Sequence, residues 1–148
     1  MPFDDWSDDD DMSEEEEERW CAEQRGRVIK YLRDEKVDFH EVGEWPAWHV
    51  APFVSIWAVV SRAHPGWVGW WAISGDLPTD YCTAIDPCHP RTAARVFSES
   101  WLAAVNACRP GDTTIGETGL PIELEPLMRS RAELLADWVA DDSVWPPP

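Results

Sequence analysis

Apolar positions along this chain switch from a helical period to a strand-like density and back again. Over residues 13–36, Trp20, Gln24, Val28, Tyr31 and Leu32 recur at helical spacing among charged residues, which predicts a helix with one apolar stripe. Ser13 followed by Glu16 fits a capping box, and the glutamates up to Glu18 suit the positive end of a helix dipole. Arg25, Arg27, Lys30, Arg33 and Lys36 suit the opposite end. Gly26 weakens this helix by about 1 kcal/mol relative to alanine.

Residues 53–62 (FVSIWAVVSR) and 67–74 (WVGWWAIS) are dense in β-branched and aromatic side chains. His64-Pro65-Gly66 between them has turn chemistry, so a β-hairpin is predicted. Val54, Ile56, Ala58 and Val60 share one face of its first strand, and Phe53, Trp57 and Val59 the other. Neither face is polar, so helices, the preceding irregular segment or a partner must cover both.

The flanking segments are less regular. Phe39 and Val42 predict a short strand, but Gly43, Pro46 and Pro52 interrupt any long element and leave Trp45 and Trp48 without a regular period. Residues 75–90 are turn-rich with a short strand at 81–85. A helix then starts near Pro90 with Ala94, Phe97, Trp101, Leu102, Val105 and Cys108 on its apolar face, and Pro110-Gly111 stops it. A last helix runs from Ile122 or Pro126 to Asp141, with Leu127, Met128, Leu134, Leu135, Trp138 and Val139 as its stripe. The fold class expected is α+β: a small antiparallel sheet, hairpin-centred with two to four strands, packed with three main helices. Residues 13–145 form the single domain. Residues 1–12 are an acidic head too poor in apolar residues to order, and residues 146–148 are a proline tail.

Composition changes this picture mainly through charge. The 148 residues are 44% hydrophobic, enough for one ordinary core. Eleven carboxylates lie between Asp4 and Glu18 before the first base, Arg19, so most of the net charge of −17 sits at one end. Such a surface repels nucleic-acid phosphate and anionic lipid, so no nucleic acid and no membrane partner is expected. With no signal-like n-region and no long apolar run, the location expected is cytoplasmic. Cys21, Cys82, Cys88 and Cys108 have no CxxC spacing and read as free thiols. Cys82, Cys88 and His89, with Cys108 or another histidine as a fourth ligand, form only an irregular zinc set, and no cofactor or metal is expected.

Candidate chemistry is sparse. Asp76 and Asp80 flank Leu77-Pro78-Thr79 after a strand, a plausible address for an acid–base or metal pair, but the residues are also ordinary turn and cap chemistry. The histidines His40, His49, His64 and His89 are scattered, and Ser74-Gly75 lacks the glycine that precedes the serine in a nucleophile elbow. Trp57, Trp71, Trp101 and Trp138 fall at core periods. Trp45, Trp48, Trp67 and Trp70 are less constrained, and as a group they suggest one exposed aromatic patch that anchors a partner.

The segment Trp71-Ala72-Ile73-Ser74-Gly75-Asp76-Leu77-Pro78-Thr79-Asp80 resembles the central motif of a bacterial family of small proteins, domain of unknown function 4826. Pro90-Arg91 with Phe97, Glu99 and Trp101 is similar to that family's next helix, and Arg131-Ala132-Glu133 with residues 141–145 to its C-terminal end. The resemblance covers most of the body; the long acidic head and Cys82 with Cys88-His89 depart from it. It implies a small cytoplasmic bacterial protein and no established activity. The residues themselves point to a non-catalytic binding protein, an acidic inhibitor or immunity-type protein that neutralises a basic partner. Its contact residues would be Trp45, Trp48, Trp67, Trp70, Asp76 and Asp80. The alternatives are a small hydrolase or metal-dependent enzyme using Asp76 and Asp80, or a structural homodimer that covers the open sheet face.

Overall fold

The computed structural model describes residues 12–147. The expectation for the acidic head therefore lies, Met12 apart, outside the described residues.

Helix α1, Glu14–Asp34, starts where the capping box places it. Ser13 Oγ accepts from the Glu16 N–H at 3.1 Å and Glu16 Oε1 accepts from the Ser13 N–H at 3.1 Å. Its buried residues Cys21, Gln24, Val28 and Leu32 form one stripe. Five strands follow: β1 Phe39–Val42, β2 Trp48–Val50, β3 Val54–Ser61, β4 Val68–Gly75 and β5 Asp80–Thr83. All pairings are antiparallel in the order β1-β3-β4-β5, and β2 pairs with the first half of β3. Helices α2, Pro90–Asn106, and α3, Glu125–Val139, complete the fold, with short 3-10 turns at Gly116–Thr118, Ile122–Leu124 and Asp142–Val144. No helix is long and apolar enough to cross a membrane among the described residues.

The α+β class and the central hairpin stand, with five strands in the sheet. The strand that the periodicity does not predict is β2. It spans only three residues, and Pro46 and Pro52 lie just outside it, so neither has to supply a ladder N–H.

Both hairpin faces obtain the cover that their apolar character demands. On one side Trp57, Val59 and Ala72 pack with Val28, Leu32 and Cys21 of α1. On the other, Val54, Ile56, Trp71 and Ile73 pack with Phe97, Trp101, Met128 and Leu135 of α2 and α3. The sheet is thus the middle of three layers, and both faces of its central hairpin are buried.

Candidate functional site

Strand β5 forms one edge of the sheet and leads from a polar pocket to an open groove of mixed lining. The pocket, about 230 Å³, is bounded by Tyr31 and Glu35 near the end of α1, by residues 78–81, by Trp101 of α2, and by Glu117 and Thr118. Asp80 lies at its centre as a fold junction. Its Oδ2 accepts from Trp101 Nε1 at 2.9 Å, its Oδ1 accepts from the Tyr81 N–H at 2.8 Å, and the Tyr31 hydroxyl donates to the same carboxylate. One side chain therefore ties α1, α2 and the sheet edge together. Burial pushes the Asp80 carboxyl above its ordinary range, against the pull of those three donors. Burial likewise pushes the Tyr31 phenol up, helped by the nearby carboxylates Asp80 and Glu35. By periodicity alone, Tyr31 and Trp101 belong to apolar stripes. A buried ring with a polar tip nevertheless needs an acceptor.

Asp76 is used differently. Arg131, buried on α3, donates Nε to the Asp76 carbonyl at 2.8 Å and Nη2 to its carboxylate at 3.0 Å. The Asp76 N–H donates to the Phe53 carbonyl at 2.8 Å. The two aspartates thus bond in different directions, one to α3 and one toward α1 and α2, and each holds part of the fold.

At the other end of β5, Trp67, Val68, Ala84, Ile85, Asp86 and Cys88 line an open groove of about 710 Å³. Trp67 is 73% exposed and Ile85 48%. Ile85 ends the strand expected at 81–85, but the observed β5 stops at Thr83 and leaves it beyond the strand.

The four less constrained tryptophans separate. Trp48 is corrected: it is only 6% exposed, its Nε1 donates to the Val144 carbonyl at 2.8 Å, and its ring stacks on Trp145 with centroids 4.1 Å apart. The unforeseen strand β2 turns it into the core beside Trp138. Trp70 is half-buried against the α1 side of the sheet. Trp45 is 49% exposed and its ring stands nearly perpendicular to that of His49, which in turn meets Glu17 Oε2 at 2.8 Å. Trp45 lies in the β1–β2 connection and Trp67 in the hairpin turn before β4, each beside its own histidine, so they do not form the single aromatic patch expected.

The possible metal set is also dispersed. His89 caps α2 by accepting the Arg91 N–H on Nδ1 at 3.0 Å, and its Nε2 lies 2.9 Å from the Pro146 carbonyl. A carbonyl only accepts, so Nε2 carries the proton and both ring nitrogens are occupied. Burial pushes the Cys82 thiol up to about 12 and raises Cys88 as well, away from the thiolate that a metal or a nucleophilic role needs. Among the described residues, no group of three or more His, Cys, Asp or Glu side chains is placed to hold a metal ion.

No curated protein and no solved structure matches this chain. A family does: residues 14–145, almost the whole of the described fold, match the family described as Domain of unknown function (DUF4826), and the chain belongs to it.

Proposed function

We propose that this protein works by binding, as an acidic, immunity- or antitoxin-like inhibitor that occludes a more basic partner protein in the cytoplasm. The observation that carries this reading is Trp67, 73% exposed beside Ile85 on a chain of net charge −17. A large ring left in water gains most when a partner pocket desolvates it, which is how tryptophan comes to dominate interfaces. The surrounding charge selects a positive partner and speeds its arrival. The groups that would otherwise suggest chemistry support the reading too, since Asp76, Asp80 and His89 each serve as fold contacts.

Affinity capture from the source cells tests it, comparing the wild type with a Trp67→Ser/Ile85→Ser double variant at low and high salt. A basic protein should be retained by the wild type, more weakly at high salt, and its affinity for the variant should fall about tenfold or more. Equal retention by both proteins would end the reading. So would turnover of a small compound that Asp80→Asn abolishes.

A further inference from the structure

The outer side of β5 is open in a defined way. Its ladder to β4 pairs Asp80 with Ile73 and Cys82 with Trp71, and just beyond it the Ala84 N–H donates to the Gly69 carbonyl at 2.9 Å. Alternate residues of an antiparallel pair turn their backbone groups to opposite sides. Asp80, Cys82 and Ala84 therefore face β4, while Tyr81 and Thr83 turn their backbone groups outward. The outward Tyr81 N–H is already capped by Asp80 Oδ1. The Tyr81 carbonyl and both backbone groups of Thr83, an exposed residue, remain on the rim.

This short rim has unlike ends. At one lies the pocket of Asp80, Glu35 and Glu117, and at the other the groove of Trp67 and Ile85 with Asp86 beside it. Among the described residues, no lysine or arginine lines either. We propose that the β5 edge takes up an extended, basic segment of the partner protein as an additional strand, seating a lysine or arginine in the acidic pocket and an apolar side chain on Trp67 and Ile85. The proposal rests on the binding reading above and gives it a mode and a partner chemistry. Main-chain bonds to an open edge supply affinity, and side chains at alternate positions supply selectivity. Asp80 and Ala84 lie four residues apart on one face, so at about 3.3 Å per residue the two anchors on the incoming strand sit ~13 Å apart. The charge argues for a basic occupant over a second copy of this chain. Two copies would each bring −17 and these same carboxylates to the seam, with no cation on either lining to offset them.

The test uses isotope-labelled full-length protein, amide NMR, and the end-capped peptide Thr-Lys-Thr-Val-Thr-Val-Thr together with its reversed sequence. Saturable shifts at Tyr81, Thr83 and Ile85 are expected from at least one of the two. They should vanish when alternate peptide nitrogens are methylated, which leaves charge and side chains intact, or when the lysine becomes glutamate. Thr83→Pro should weaken binding about tenfold without disturbing the ladder, because the N–H it removes points away from β4. Absence of saturable binding on β5, equal binding of the methylated peptide, equal binding by Thr83→Pro, or dimerisation of the protein through this edge would each overturn the proposal. If a basic partner is held by Thr83→Pro but lost by Trp67→Ser/Ile85→Ser, strand addition falls while the binding reading survives.

Discussion

Gly75 closes β4 with a φ of +144°, a conformation that L side chains rarely adopt. A Cβ there would collide with the Phe53 carbonyl oxygen and stand 2.8 Å from its carbon and 2.9 Å from Val54 Cα. Gly75→Ala should therefore destabilise the fold by on the order of 3 kcal/mol, read as a lowered denaturant midpoint. Five residues on, Asp80 makes a prediction of opposite sign to the usual paired carboxylate. Its folded carboxyl holds a proton more tightly than the unfolded chain does, because burial disfavours the charged form. The folded state then binds more protons across the window from the ordinary carboxylate value up to the raised one, and stability falls as pH rises through that window. Asp80→Asn abolishes this titration. It also leaves one of the donors around Asp80 facing an amide NH₂, at a cost of about 1–3 kcal/mol near neutrality. Urea unfolding at stepped pH should show a smaller loss of stability with rising pH for the variant than for the wild type across that window. Glu16 and Asp141, whose carboxyls are held below their ordinary range by bonds from Ser13 and Ser143, titrate in both proteins and cancel from the difference. Identical pH slopes would remove Asp80 as the source.

Among the elements, the C-terminal segment contributes more than its length suggests. Arg91 at the start of α2 donates Nε to the Val139 carbonyl at 2.8 Å and Nη2 to Asp142 Oδ1 at 2.6 Å, which fixes where α3 ends. Asp141 then accepts from the Ser143 N–H and hydroxyl, and the chain turns to lay Trp145 flat on Trp48. Trp145→Ala should cost about 3–5 kcal/mol and red-shift the emission as Trp48 meets water, both measurable in one denaturation series. An unchanged midpoint would mean that the stack contributes little. The same region shows what a sequence can and cannot disclose. The start of α1, the central hairpin and Pro90 at the head of α2 were legible because each rests on a local rule: a capping box, a turn between dense strands, a proline at the first helical position. β2 and the burial of Trp48 were not legible. Three residues carry no period, and Trp48 is held by Val144 and Trp145 from the far end of the chain. The candidate site divides the same way. Asp80 stood out as a loop aspartate after a strand, whereas Tyr31, Trp101 and Glu117 meet it only because three separate elements converge at the sheet edge.

At the scale of the whole molecule, the densest charge and the exposed tryptophan are far apart in the sequence, and kinetics can tell their contributions apart. Six carboxylates, Asp4, Asp5 and Asp8 to Asp11, precede Ser13, while the groove with Trp67 and Ile85 lies at the hairpin turn. Long-range attraction acts before contact and is screened over roughly 8 Å at physiological salt, so its signature belongs in the association rate. Apolar anchors act after contact, so theirs belongs in the dissociation rate. If the proposed basic partner binds, a chain lacking the residues before Ser13 should associate with it more slowly at low salt, by on the order of tenfold, and lose much of its dependence on ionic strength, while dissociating at the wild-type rate. Trp67→Ser should do the reverse, leaving association near the wild-type value and speeding dissociation about tenfold. Surface-capture kinetics of the three proteins at several salt concentrations separate the two contributions. If the truncated chain instead dissociates faster at every salt concentration, the acidic head makes direct contacts in the complex and is part of the interface, and steering alone does not describe its role.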